Sequence, residues 1–147
     1  MKARNPRLLV FNYINHNEIS KLPPSPDTEP YRKLQSMGWF LYAKGGSGDI
    51  VPSTWGAGNF HENNITLFTP PDEHGDRWTD WYAKWAAEHI ARRAPSLDGL
   101  MTDNFFVRPR VTGDWNRDGV ADSPDDPRTQ AWYRAGNRRH IEVLRRE

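Results

Sequence analysis

The chain has no cysteine among its 147 residues. That excludes disulfide scaffolds, thiolate metal sites and cysteine nucleophiles, and it leaves the redox compartment open. No apolar run approaches the roughly 20 residues needed to span a bilayer, so a membrane is not an expected partner. Neither sign of charge is in excess: 20 Lys and Arg against 19 Asp and Glu give a formal net charge of +1. Without a broad positive field, nucleic acid is not an expected partner either. The start, MKARNPRLLVF, is basic but has no apolar segment of about 7 to 15 residues followed by a small-residue cleavage site. If the intact protein is secreted, its signal lies elsewhere. The five histidines at 16, 61, 74, 89 and 140 show no H-x-H or H-E-x-x-H spacing, which argues against zinc.

What is present is punctuation and aromatic mass. The 12 Pro and 11 Gly fall mostly between apolar segments, and the length suits a single domain or part of one, spanning 1–147. RLLVFNYI at 7–14 reads as a strand bounded by Pro6 and a polar loop, and 29–37 reads as a short helix stopping at Gly38. Residues 39–43 read as a second strand, broken by Gly45, Gly46 and Gly48 in a flexible turn. Residues 54–64 look irregular, and 65–69 looks like a third strand ended by Pro70 and Pro71. From Asp76 the period changes: Trp78, Trp81, Tyr82, Trp85, His89 and Ile90 form one apolar stripe of a helix closed by Pro95. A strand follows from about Asp98 to Asp103. The last helix is expected to start with Asp126 as its cap and Pro127 in its first turn. It runs to the terminus without a stop signal, as expected of a segment cut from a longer chain. The fold class is therefore α/β, with about four strands and flanking helices. Seven Trp can serve either core packing or ligand platforms.

Two constellations carry chemistry. In parallel α/β sheets ligands gather at the carboxyl ends of strands, so Asp103, last on its strand, is the candidate catalytic residue. Asn104 beside it is placed to donate to a hydroxyl, although Asp and Asn are also ordinary turn residues. Asn15, His16 and Glu18, just past the first strand, share that rim if the strands are parallel, and are candidate substrate-binding residues. The second constellation is the loop 114–125. Asp114, Asn116, Asp118, the carbonyl of Val120, Asp122 and Asp125 fall at the ligand positions of an EF-hand-like calcium loop, with Gly119 at the sharp turn. Position 12 is Asp where a bidentate Glu is usual, and 107–112 does not look helical. A structural Ca2+ that staples the segment after Asp103 is the expectation.

The order of segments and the DGLMTDN strand at 98–104 resemble glycoside-hydrolase-like barrel proteins marked by a D-G-hydrophobic-hydrophobic-x-D-N strand. That resemblance implies a partial (β/α)8 TIM-type barrel, a carbohydrate substrate and a catalytic role for Asp103. A full barrel takes roughly 250 residues, more than are here. Glycoside hydrolysis needs a second carboxylate, for which Glu18, Asp72 and Glu73 stand open, unless it lies on strands beyond this chain. The competing readings are a non-catalytic, calcium-stabilised carbohydrate-binding module and a truncated remnant.

Overall fold

The computed structural model describes residues 5–45, 47–93 and 96–147. Pro95, expected to close the long helix, and Gly46 of the glycine-rich turn lie outside them. In chain order the elements are β1 (Phe11–Ile14), β2 (Glu18–Ser20), α1 (Glu29–Met37), β3 (Tyr42–Lys44), β4 (Ser47–Ile50), β5 (Phe60–Glu62), α2 (Trp78–Arg93), β6 (Gly99–Thr102) and α3 (Pro127–Leu144). This is a mixed α/β fold whose strands pair in three two-stranded sheets: β1 parallel with β6, β2 antiparallel with β5, and β3 antiparallel with β4. Among the described residues these sheets do not close into a barrel.

The helices start and stop where their sequences dictate. Pro30 sits in the first turn of α1, and Gly38 ends it in the left-handed region at φ 62°, its amide returning to the carbonyls of Leu34 and Gln35. The Asp126 carboxylate accepts the Arg128 amide at 2.7 Å, capping α3, and Pro127 costs nothing at a position whose amide needs no partner. Between α1, α2 and α3 lies a core of Leu34, Trp39, Phe40, Leu41, Ile65, Trp78, Trp115 and Tyr133, each at most 1% exposed. Helix α3 comes so close to the 65–66 backbone that a Cβ on Gly136 would meet the Ile65 carbonyl oxygen at 2.0 Å.

The strands depart from the sequence expectation. Pairing of β1 begins only at Phe11 and that of β3 with β4 at Tyr42, while Trp39, Phe40 and Leu41 bury their side chains in the core and pair their backbone with 62–64 instead, through the Phe40–Asn63 bridge and the Leu41 amide on the Glu62 carbonyl at 2.8 Å. The glycine-rich stretch after Lys44 turns a hairpin, β3 to β4, instead of ending the sheet. Residues 65–69 form no strand. There the side chains of Asn64 and Thr66 take over the backbone's partners: Asn64 Oδ1 accepts the Thr66 amide at 3.0 Å, and the Thr66 hydroxyl reaches the Trp115 carbonyl at 2.7 Å. Conversely, the stretch read as irregular holds β5. Among the described residues six short strands thus stand where about four longer ones were expected.

The β1–β6 pair has two unlike faces. Ile14 and Leu100 turn to the core, whereas Phe11, Tyr13 and Met101 on the other face are 49%, 52% and 52% exposed. Parallel strands are ordinarily covered on both faces.

Candidate functional site: a carboxylate rim

Parallel pairing brings the ends of β1 and β6 together, with Ile14 opposite Thr102 and the Asp103 amide donating to the Ile14 carbonyl at 3.0 Å. Strand alternation then puts Asp103 on the exposed face with Tyr13, whose hydroxyl donates to Asp103 Oδ2 at 2.8 Å. The Asn104 amide donates to Oδ1 at 2.7 Å. These two hydrogen bonds, Tyr13 first, hold the Asp103 carboxyl below its ordinary range, with the Arg110 charge adding to them. Asp103 is an ionised carboxylate open to solvent.

Asn104 takes a positive φ of 60°, a conformation Asn tolerates better than most residues. The turn sends its side chain inward, where Nδ2 donates to Glu18 Oε1 at 2.8 Å, and the Asn17 side-chain amide donates to its carbonyl. Asn15 Nδ2 gives Glu18 Oε1 a second donor at 3.1 Å. Glu18 Oε2 accepts from the Ser53 hydroxyl and from the Arg110 guanidinium at 2.9 Å. With four donors and 4% exposure, Glu18 is locked in one rotamer beneath the rim. Arg110 is fixed in turn against the Phe106 ring, 4.7 Å from its centroid.

Directly across the β2–β5 ladder from Glu18 is Glu62, and residues facing each other in this way have Cβ atoms about 4.5–5.5 Å apart. Glu62 is fully buried, and its two carboxyl oxygens have no hydrogen-bond partner among the described residues. Burial drives its pKa up to about 8, and the Glu18 charge adds to the rise, while Arg110 and the Ser53 hydroxyl pull the other way without prevailing. At neutral pH Glu62 therefore holds its proton. The buried Tyr133 hydroxyl, also without a partner among the described residues, is pushed up by burial and then by Glu62.

The remaining candidates separate. His16 is fully buried, its ring stacked on His140 at 4.1 Å between centroids, with Nε2 2.9 Å from Asn137 Oδ1. Burial lowers both imidazoles, His140 to about 4. Asp72 pairs with Lys33 at 2.9 Å, and Glu73 lies at 3.7 Å from the same ammonium. No hydrogen bond or ion pair among the described residues joins either to Asp103 or Glu18.

In the 114–125 loop Asp114 accepts the amides of Asp118 at 3.0 Å and Gly119 at 2.7 Å, and Asp122 accepts the Trp115 amide at 2.9 Å. Asp118 Oδ1 accepts the Val120 amide at 2.9 Å, and Asn116 Nδ2 donates to Asp118 Oδ2 at 2.9 Å. Burial, followed by the charges of Asp118 and Asp114, raises Asp122. Asp125 turns away to Arg108 at 2.7 Å. Among the described residues no three His, Asp or Glu side chains stand together in a metal-binding group. Asp114, Asn116, Asp118 and Asp122 are oxygen donors that suit a hard cation, and Asp125 is paired with Arg108.

No family model matches the chain, and neither a curated protein nor a solved structure is significantly similar to it. Sequence reasoning reached Asp103, Asn104, Asn15 and Glu18, which the fold gathers, and missed Tyr13, Ser53, Glu62 and Arg110. Tyr13 was legible, since it alternates with Ile14 on a strand. Glu62 was not, because a three-residue strand has no period to detect.

Proposed function

We propose that the chain is a glycoside-hydrolase-like unit of a (β/α)-barrel, in which Asp103 acts on a glycosidic bond of an oligosaccharide or polysaccharide. The observation that carries this reading is an exposed, ionised carboxylate, Asp103, at the carboxyl end of a parallel strand pair, backed through Asn104 by the buried Glu18. Glycoside cleavage asks for two carboxyl groups with opposite proton occupancy, one to attack or activate water and one to protonate the leaving oxygen. Asp103 suits the first role. Glu18 and Glu62 are both buried, so they support the rim, Glu18 through Asn104, rather than protonate the leaving oxygen, and the second carboxyl is left unassigned. The exposed face of Phe11, Tyr13 and Met101 supports the barrel reading, since neighbouring strands would cover it. The test is turnover on a panel of polysaccharides and aryl glycosides. Asp103→Asn is expected to abolish it with the melting temperature unchanged, and undiminished turnover in that variant overturns the reading.

A calcium-stapled module that binds glycan without cleaving it is the second reading, favoured by the mutual charge of Asp114, Asp118 and Asp122. Held by those residues with Asn116 and the Val120 carbonyl, Ca2+ would neutralise that charge and fix the loop ahead of α3. It predicts a higher melting temperature in calcium than in chelator, and no change in melting temperature removes it.

A further inference from the structure

Beside the rim lies a cleft of about 410 Å³ lined by Thr54, Arg108, Pro109, Arg110, Pro124 and Asp125, within the range of roughly 300–1,000 Å³ common for small-ligand sites. It is joined to the carboxylate site through Arg110, which holds Glu18. Its exposed charges are a matched pair, Arg108 with Asp125 at 2.7 Å, so donors and acceptors stand side by side there, while Arg110 is committed to Glu18 and Thr54 adds a hydroxyl. The loop that supplies Thr54 continues into Trp55, which lies next to the cleft in sequence but outside its lining, is 63% exposed and stacks on no other ring among the described residues. The Trp55 amide donates to Ser53 Oγ at 3.2 Å, the hydroxyl bound to Glu18. After it Gly56, Ala57 and Gly58 all adopt positive φ, at 64°, 52° and 80°. For Ala57 that conformation costs energy, and such strain persists only where the surroundings impose it. The Phe60 ring lies so close to Gly56 that a Cβ there would meet it at 2.6 Å.

We infer that Trp55 and the Thr54–Arg108–Asp125 cleft form a subsite for an uncharged pyranose ring of a glycan, joined to the Asp103 rim through Arg110. A pyranose has an apolar face of C–H groups, which an exposed indole accepts on its electron-rich surface, and a rim of neighbouring hydroxyls, which an Arg–Asp pair meets with donors on one side and acceptors on the other. An acidic sugar would find the Arg108 charge already matched by Asp125. The inference rests on the glycan reading of the rim and names the chemistry of what it takes. It also gives Asp125 a role other than calcium ligation.

The experiment titrates xylo-, cello-, malto- and chito-oligosaccharides of three to six units into the full chain, followed by intrinsic tryptophan fluorescence and by calorimetry. Binding to Asp103→Asn separates recognition from turnover. Trp55→Ala and Arg108→Ala change exposed side chains, so circular dichroism should show an intact fold. Each is expected to weaken binding at least about ten-fold, with Trp55→Phe recovering part of the loss and any turnover showing a raised KM at near-constant kcat. Equal affinity in Trp55→Ala and Arg108→Ala, or no binding of any of these sugars, overturns the subsite. Binding without turnover by the unmutated chain keeps the subsite and removes the hydrolase reading. Turnover with KM unchanged in both variants does the reverse.

Discussion

Asp103 and Glu62 carry the same carboxyl group and feel the same Arg110, yet the fold drives them in opposite directions. Asp103 stands in solvent with a phenol and an amide donating to it, and stays ionised below the usual carboxylate range. Glu62 is walled off from water and faces another carboxylate, its oxygens have no hydrogen-bond partner among the described residues beyond the pull of the nearby Ser53 hydroxyl, and it keeps its proton up to about 8. The difference teaches that solvation and donors, rather than residue type, decide which carboxyl stays ionised and which keeps its proton. It also separates a rim that is free to meet a ligand from an interior that is already full.

The largest expected effect tests the rim. Asp103→Asn should lower turnover by about 10³-fold or more and leave thermal stability nearly unchanged, because the side chain is exposed. Next comes the interior carboxyl. A folded pKa raised to about 8 from an ordinary 4.5 means that the stabilisation from Glu62 is complete below about 4.5 and lost as pH rises through about 8. Glu62→Gln mimics the protonated form, so it should match the parent at pH 4.5 and exceed its stability by a few kcal/mol at pH 8.5 in urea denaturation. Filling the interior further should be penalised. Gly136→Ala forces a methyl onto the Ile65 carbonyl and should cost about 3 kcal/mol, with activity at the rim following only the loss of folded protein. The smallest effect sharpens the comparison from the Asp103 side. Tyr13→Phe removes one of the two donors that lower Asp103, so the acid limb of the pH–rate profile should move upward while stability changes by less than about 1 kcal/mol.

How much of this was legible depends on what each element rests upon. Helix α1 with its Gly38 stop and α3 with its Asp126 and Pro127 start are written in local signals, and they form where those signals stand. Strand β6 and the rim position of Asp103 follow from an apolar run ending in an acid. The segment 65–69 looks like a strand by composition, yet Asn64 and Thr66 bind the Trp115 backbone from the other end of the fold, a contact that periodicity cannot foresee. The polar run Glu62, Asn63, Asn64 looks like solvated loop and is at most 1% exposed. Its burial arises only when the β2–β5 ladder and α3 close around it. His16 shows the converse: placed by sequence on the rim, it turns inward because His140 and Asn137 of α3 receive its ring.

The most direct measurement is an NMR titration of the side-chain carboxyl carbons of the 13C-labelled chain, with Asp103→Asn and Glu62→Gln used to assign the two signals. Asp103 should titrate below the ordinary aspartate range and Glu62 near 8, in one folded protein. Two carboxyls titrating together near pH 4 would contradict the opposite protonation states that set the rim apart from the interior.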